Sequence, residues 1–125
     1  MKNDVTIGLA GLGLIGGSIA LALKSRDDRY RIAAWDRDRE VVDKALSDGV
    51  VDIAVSPDFS EFGVCDIVFL CVPVYAMKDV LERLKPHIRS DCVITDVGST
   101  KGDVSLIMAE AGVSNQFIGG HPLAG

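Results

Sequence analysis

The sequence has little of three features that would point to particular partners: positive charge, cysteine and long apolar runs. Its 125 residues carry 13 Lys and Arg against 18 Asp and Glu, for a formal net charge of -5. That balance argues against a nucleic-acid partner, which needs a basic surface. It leaves room for an anionic ligand, because helix N-termini bind phosphate without net positive charge. No apolar stretch has the length of a membrane span, so we expect no membrane partner.

Cysteine is scarce, and the three present are Cys65, Cys71 and Cys92. None of their spacings fits a metal site, so we expect no bound metal. Because they lie in or beside apolar runs, we expect small buried hydrophobic side chains in a reducing compartment. The first residues lead straight into a predicted strand rather than a secretion signal. Together these features predict a cytoplasmic protein.

What the sequence does contain is an alternation of short apolar runs and helical patterns, with 48% hydrophobic residues. Such alternation predicts an α/β fold, in which right-handed crossovers form a doubly wound parallel sheet of the Rossmann type in a single domain. The predicted strands are residues 5–9, 31–35, 51–55, 66–72, 91–97 and 116–119. The predicted helices are residues 14–25, a second one capped by Asp36 or Asp38 and ending near 47, residues 75–84, and a fourth one capped by Ser99 or Thr100 and ending near 111.

The first predicted turn carries the sequence GLGLIG at residues 11–16. It follows an apolar strand and opens a helix, which is the context that a dinucleotide-binding fingerprint requires. Gly11 would permit the tight turn, Gly13 would let the backbone approach a pyrophosphate, and Gly16 would allow close packing of the helix. We expect the backbone amides of this stretch, which includes Leu14 and Ile15, to bind the phosphates. The alternative is a tight turn without a ligand.

Asp36 ends the second predicted strand, twenty residues after Gly16. A carboxylate there can accept hydrogen bonds from both ribose hydroxyls of an adenosine and would repel a 2′-phosphate, which favours NAD over NADP. Arg37 and Arg39 leave two possibilities open, because either could stack on adenine or neutralise a 2′-phosphate. For Asp36 itself, the alternative role is a plain helix cap.

Ligands of open parallel sheets bind beyond the carboxyl ends of the strands. Two polar candidates follow the later strands there. Ser99 fits a helix N-cap and could also contact a substrate or a catalytic histidine. His121 follows two glycines and precedes a proline at the same edge, and we favour a functional role for it.

Three segments together resemble one known family: GLGLIGGS at residues 11–18, DVGSTK at 96–101 and GGHPLAG at 119–125. They are similar to the prephenate/arogenate (cyclohexadienyl) dehydrogenase family of tyrosine biosynthesis. The resemblance implies oxidative decarboxylation of a cyclohexadienol, prephenate or arogenate, with hydride transfer to NAD. It implies that His121 accepts the proton of the ring hydroxyl and that Ser99 helps to place the histidine and the substrate.

The resemblance also adds cofactor-binding residues and a domain plan. It places Cys71, Val72 and Pro73 beside the nicotinamide ribose, and Asp96 is counted with the cofactor-binding residues. We expect residues 1–119 to form the dinucleotide-binding domain, and 120–125 to begin a connection to a helical domain that is absent here. Family members are expected to form homodimers through that domain. Without it the pocket lacks one wall and is open to water, so this chain alone is expected to show little turnover.

Two other functions remain possible on the sequence. One is another Rossmann dehydrogenase of the β-hydroxy-acid or imine type, which would share the glycine turn but not both later segments. The other is a module that binds NAD without catalysis, as a sensor or fragment.

Overall fold

Strands and helices alternate along the chain, as the sequence predicts. A computed structural model describes residues 4–26, 29–97, 101–113 and 116–118. The elements are β1 (Val5–Ala10), α1 (Leu14–Arg26), β2 (Tyr30–Trp35), α2 (Arg39–Ser47), β3 (Ile53–Ala54), a 3-10 helix (Ser60–Val64), β4 (Ile67–Leu70), α3 (Val74–Leu84), β5 (Val93–Asp96), α4 (Lys101–Ala111) and β6 (Phe117–Ile118).

The six strands form one parallel sheet in the order β3-β2-β1-β4-β5-β6. The chain builds outward from β1 on one side and then crosses back to start β4 on the other. Ligands of doubly wound sheets bind at such a reversal, outside the carboxyl ends of the strands. We call the side where the strands end the carboxyl edge and the opposite side the amino edge. The doubly wound parallel sheet predicted from the sequence is confirmed.

Helices cover both faces of this sheet, and each face has its own buried cluster. One cluster joins strand residues such as Leu9 and Ile32 to Ala20 of α1 and Val42 of α2. The other joins the opposite face to the 3-10 helix, α3 and α4, with Phe62 at less than 1% exposure. Strands buried on both faces explain the nearly continuous apolar runs in the sequence. In the part of the chain that the structure describes, no helix has the length and apolar character needed to cross a membrane.

Local signals in the sequence fix three of the helix ends. Asp38, rather than Asp36, is the N-cap of α2, because its side chain accepts the backbone N–H of Glu40. Gly49 and Gly112 follow α2 and α4 with φ of 78° and 79°, which suits the glycine that commonly terminates a helix. The predicted caps of α4, Ser99 and Thr100, lie outside the described residues.

Strands β3, β4 and β5 are shorter than the apolar runs predict, whereas β1 and β2 are each one residue longer. The runs at residues 51–55 and 66–72 form strands only at Ile53–Ala54 and Ile67–Leu70. A strand extends only as far as its neighbour offers pairing partners, and β2 pairs with β3 at just two positions. Apart from the exposed Asp52, the outer residues of both runs are nevertheless buried or half-buried, which accounts for the apolar character of the runs.

Candidate functional site

The glycine-rich turn between β1 and α1 lies at the carboxyl edge, between the ends of β2 and β4. The N–H of Gly11 donates to the carbonyl of Trp35 at 2.7 Å, and the N–H of Cys71 donates to the carbonyl of Ala10 at 2.9 Å. Gly11 has a φ of 102°, and a Cβ there would lie 2.7 Å from the carbonyl oxygen of Cys71. No other residue could make this turn without moving the end of β4.

The other two glycines of the fingerprint differ in how closely other atoms surround them. A Cβ on Gly16 would lie 2.5 Å from the carbonyl oxygen of Gly11, so Gly16 is needed for the turn to pack on α1. A Cβ on Gly13 would meet no atom within 4 Å, although its φ of 27° is left-handed. The backbone at Gly13 therefore faces open space, as it must if a ligand is to approach it closely.

Asp36 lies directly after β2 and holds the glycine turn in place. Its Oδ1 accepts the N–H of Leu12, and its Oδ2 accepts the N–H of Asp38, both at 2.9 Å. Among the described residues Asp36 forms no ion pair. Because each carboxylate oxygen has two acceptor positions, both oxygens can still accept a hydroxyl.

A cavity of about 360 Å³ opens between the glycine turn, the end of β2 and the start of α3. It brings together most of the cofactor-binding residues predicted from the sequence. Those among its lining residues are Gly11, Gly13, Asp36, Arg37, Cys71, Val72 and Pro73. A second cavity of about 320 Å³ adjoins it and shares Trp35, Asp36, Arg37 and Arg83 with the first.

Sequence reasoning missed one wall of the first cavity. Besides Trp35, it consists of one face of α3, namely Tyr75, Ala76, Asp79, Val80 and Arg83. The sequence carried part of the signal, because it predicts a helix that starts at the carboxyl edge. It does not show that the face with these five positions is the one that meets the cavity.

Four predicted cofactor-binding residues are not in the lining of either cavity. Gly16 is one of them, and it packs the turn on α1. Leu14 and Ile15 begin α1, and their side chains are exposed by 90% and 54%. Only their backbone amides suit the predicted role. Asp96 ends β5 at the correct edge, but its side chain is buried. The cofactor-binding role of all four stays a prediction.

Cys71 is the one cysteine that lines the first cavity, and burial raises the pKa of its thiol to about 12. A thiol with that pKa is neutral at physiological pH, which suits a contact surface and not a nucleophile. Within the described residues, no group of His, Cys, Asp and Glu could hold a metal ion. The predicted catalytic residues, Ser99 and His121, lie outside the described residues, as does the predicted domain boundary after residue 119.

The chain is similar to known proteins along nearly its whole length. The family model for the nucleotide-binding domain of prephenate dehydrogenase matches residues 19–125. Prephenate dehydrogenase of Bacillus subtilis is 43% identical over 122 residues, which are 96% of this chain and 33% of that protein. The chain spans about a third of the length of this relative and of a second curated relative, the prephenate dehydrogenase of Lactococcus lactis.

Two solved structures of dehydrogenases have the same fold as this chain. Prephenate dehydrogenase from A. aeolicus, in complex with hydroxyphenyl propionate and NAD+, has a TM-score of 0.83 at 29% identity, covering 99% of this chain and 43% of that one. Synechocystis arogenate dehydrogenase has a TM-score of 0.83 at 34% identity, covering 94% and 41%. With the family model matching most of its length, the chain belongs to the prephenate dehydrogenase family, in the part that forms the nucleotide-binding domain.

Proposed function

We propose that this chain is the NAD-binding domain of a prephenate or arogenate dehydrogenase. The observation that carries the proposal is Gly13, which has open space around it on the wall of a cavity next to Asp36. The turn leaves room for a pyrophosphate at its amides, and the Asp36 carboxylate keeps free acceptor positions for the adjoining ribose. The structure of the A. aeolicus relative contains NAD+, which supports the same ligand here.

Asp36 also supports NAD over NADP. Its carboxylate has no ion pair among the described residues, so its charge remains to repel a 2′-phosphate. Arg37 is exposed, lines both cavities and lacks a hydrogen-bond or ion-pair partner in the described part of the chain. We assign it to the adenosine end of the ligand.

The proposed reaction is the oxidative decarboxylation of prephenate or arogenate. When bound, NAD+ supplies a hydride acceptor. We propose that His121 accepts the proton of the ring hydroxyl while the hydride leaves the carbon that bears this hydroxyl. We also propose that Ser99 orients the histidine and the substrate. Carbon dioxide departs and the ring becomes aromatic. For the whole protein we also propose a homodimer and a cytoplasmic location, which the three free cysteines fit.

The binding step is tested by calorimetric titration of the chain with NAD+ and NADP+, in the wild type and in two alanine variants. Gly13→Ala places a methyl group where the ligand must approach and should weaken NAD+ binding at least about tenfold. Its strain costs only about 1 kcal/mol, so the fold should survive. Gly17→Ala is the matched control, since its nearest new contact is the carbonyl oxygen of Leu12 at 4.0 Å. A folded wild-type chain that binds no NAD+ would falsify the proposal.

The catalytic step is tested in the whole protein, by following NADH formation with prephenate and with arogenate. His121→Asn should lower kcat by about a hundredfold or more, because general-base catalysis contributes on that order. Ser99→Ala should have a smaller effect. Full activity of the His121 variant would remove the proposed role of this residue.

A further inference from the structure

Arg83, near the end of α3, makes contacts that nothing in the glycine-turn motif accounts for. Its guanidinium carbon lies 4.2 Å from the ring centroid of Phe59 and 5.0 Å from that of Trp35. The two rings pack edge to face, with centroids 5.0 Å apart. A cation over two aromatic faces is an attractive arrangement, more so where water is partly excluded.

The same guanidinium also holds a backbone carbonyl. Its Nη2 donates to the carbonyl oxygen of Pro57 at 2.6 Å, and its Nη1 lies 3.7 Å from Asp79. The segment that it holds carries strain, because Phe59 has a φ of 66° and is the one non-glycine residue in the left-handed region within the described ranges. We call Arg83, Trp35, Phe59 and the carbonyl of Pro57 the Arg83 cluster.

The Arg83 cluster extends the site into the second cavity, which the glycine turn does not line. Arg83 and Trp35 line both cavities, whereas Gly11 and Gly13 line only the first. Asp36 lines both cavities and binds the glycine turn through the N–H of Leu12. If a ribose binds Asp36 and a pyrophosphate binds the turn, the base attached to that ribose must extend toward the Arg83 cluster.

We propose that Arg83 is a positioning residue for the adenine end of the ligand, which rests on the proposed function. It acts through Trp35 and the Pro57–Phe59 backbone, because its guanidinium is already occupied by two rings and a carbonyl. By fixing these groups it keeps a rigid wall for a flat base, and a preformed wall saves the ligand the cost of ordering it.

Three ligands separate this role from a general loss of stability: ADP-ribose and AMP, which contain adenine, and nicotinamide mononucleotide, which does not. Arg83→Met keeps the aliphatic length and removes the cation and the donors. We expect it to weaken ADP-ribose and AMP binding by roughly tenfold and to leave binding of nicotinamide mononucleotide unchanged. Arg89→Met is the matched control, since it removes an arginine with two ion pairs at the amino edge and should leave all three affinities unchanged.

Trp35 supplies a second readout, because it is the only tryptophan in the chain. Its fluorescence should respond to ADP-ribose in the wild type and in Arg89→Met, and the response should shrink in Arg83→Met at equal occupancy. Arg83→Lys, which keeps the charge without the planar donors, should give an intermediate affinity and covers the case in which Arg83→Met does not fold.

The outcomes distinguish this inference from the proposed function. A wild-type chain that binds neither NAD+ nor ADP-ribose contradicts the proposed function itself. Wild-type binding with unchanged ADP-ribose affinity in the Arg83 variants overturns only the inference. The inference is equally overturned if Arg83→Met weakens the binding of nicotinamide mononucleotide as much as the binding of ADP-ribose, since that would be a general structural effect.

Discussion

Two aspartates at opposite edges of the sheet bind a neighbouring backbone in the same way but differ in their counter-charges. At the amino edge, Asp52 accepts the N–H of Ile32 at 2.8 Å and also pairs with the ammonium of Lys24. At the carboxyl edge, Asp36 accepts the N–H of Leu12 at 2.9 Å and has no cation paired with it in the described part of the chain. The first carboxylate is neutralised within the protein, and the second is left charged beside a cavity.

A third aspartate shows that the amino-edge arrangement is repeated. Asp66 accepts the N–H of Thr6 and pairs with Arg89, both at 2.9 Å. At the carboxyl edge, by contrast, the nearby Arg37 has no partner among the described residues. Carboxylates that complete their interactions inside the protein serve stability, whereas one that keeps its charge and acceptor positions is suited to bind a ligand.

The largest expected effect is a loss of stability when the packing of the glycine turn on α1 is disturbed. Gly16→Ala would place a methyl group 2.5 Å from the backbone carbonyl of Gly11, and neither group can move without shifting the turn. We expect a loss of about 3 kcal/mol in the free energy of unfolding, measured by urea denaturation. Gly17→Ala, one residue along the same helix, should be neutral or stabilising by up to about 1 kcal/mol. Equal stabilities of the two variants would show that the turn is not tightly packed.

The next prediction compares the carboxylates of Asp36 and Asp52 directly. Asp36→Asn and Asp52→Asn each remove one charge and one acceptor oxygen, so each should cost about 1 kcal/mol of stability. Only Asp36→Asn should weaken NAD+ binding, by roughly tenfold or more, because only Asp36 adjoins the cavity. Stability comes from urea denaturation and affinity from calorimetry. A comparable loss of affinity in Asp52→Asn would end the distinction between the two edges.

Much of this comparison could be predicted from the sequence, because its signals are local. Gly11, Gly13 and Gly16 reveal the turn through their spacing after an apolar run, and Asp36 follows the next strand at the expected distance. The order of strands and helices follows from apolar runs broken by glycine and proline. These signals depend on residues close together in the chain, so one sequence is enough to read them.

The α3 wall could not be predicted with the same ease. Which face of α3 meets the cavity depends on how the helix packs over β4 and the 3-10 helix, which no local pattern states. Trp35 and Arg83 are 48 residues apart in the numbering and meet only in the folded chain. The short pairing of β3 has the same origin, since strand length is set by the partner strand.

A smaller effect is the pH dependence of the stability that Asp66 contributes at the amino edge, about 1 kcal/mol in the free energy of unfolding. The N–H of Thr6, and then Arg89, lower the pKa of Asp66 below its usual value. A lowered folded-state pKa means that the charged form contributes stability above the unfolded pKa of about 4, and that this contribution is lost as the pH falls through the folded value. Wild type should therefore be more stable than Asp66→Asn at pH 7, with the difference shrinking below pH 4. A difference that is constant from pH 7 to pH 2 would contradict this assignment.

The smallest expected effect is a several-fold change in the rate at which a disulfide reagent modifies the cysteine thiols at the two edges. Cys65 and Cys92 precede β4 and β5 at the amino edge and are fully buried, whereas Cys71 follows β4 at the carboxyl edge and is half-buried. Burial raises the pKa of Cys71 to about 12, so its reaction with a disulfide reagent should be slow at pH 8 and should accelerate at higher pH as thiolate forms.

Cys71 should nevertheless react first in the native chain, and Cys71→Ser should remove that phase while Cys65→Ser retains it. Because Cys71 lines the cavity, NAD+ should slow its modification several-fold and leave the slower thiols unaffected. Equal protection of all three thiols would mean that the ligand acts by stabilising the whole fold. Protection confined to Cys71 would place the ligand at the carboxyl edge by a measurement that uses neither the glycine turn nor Asp36.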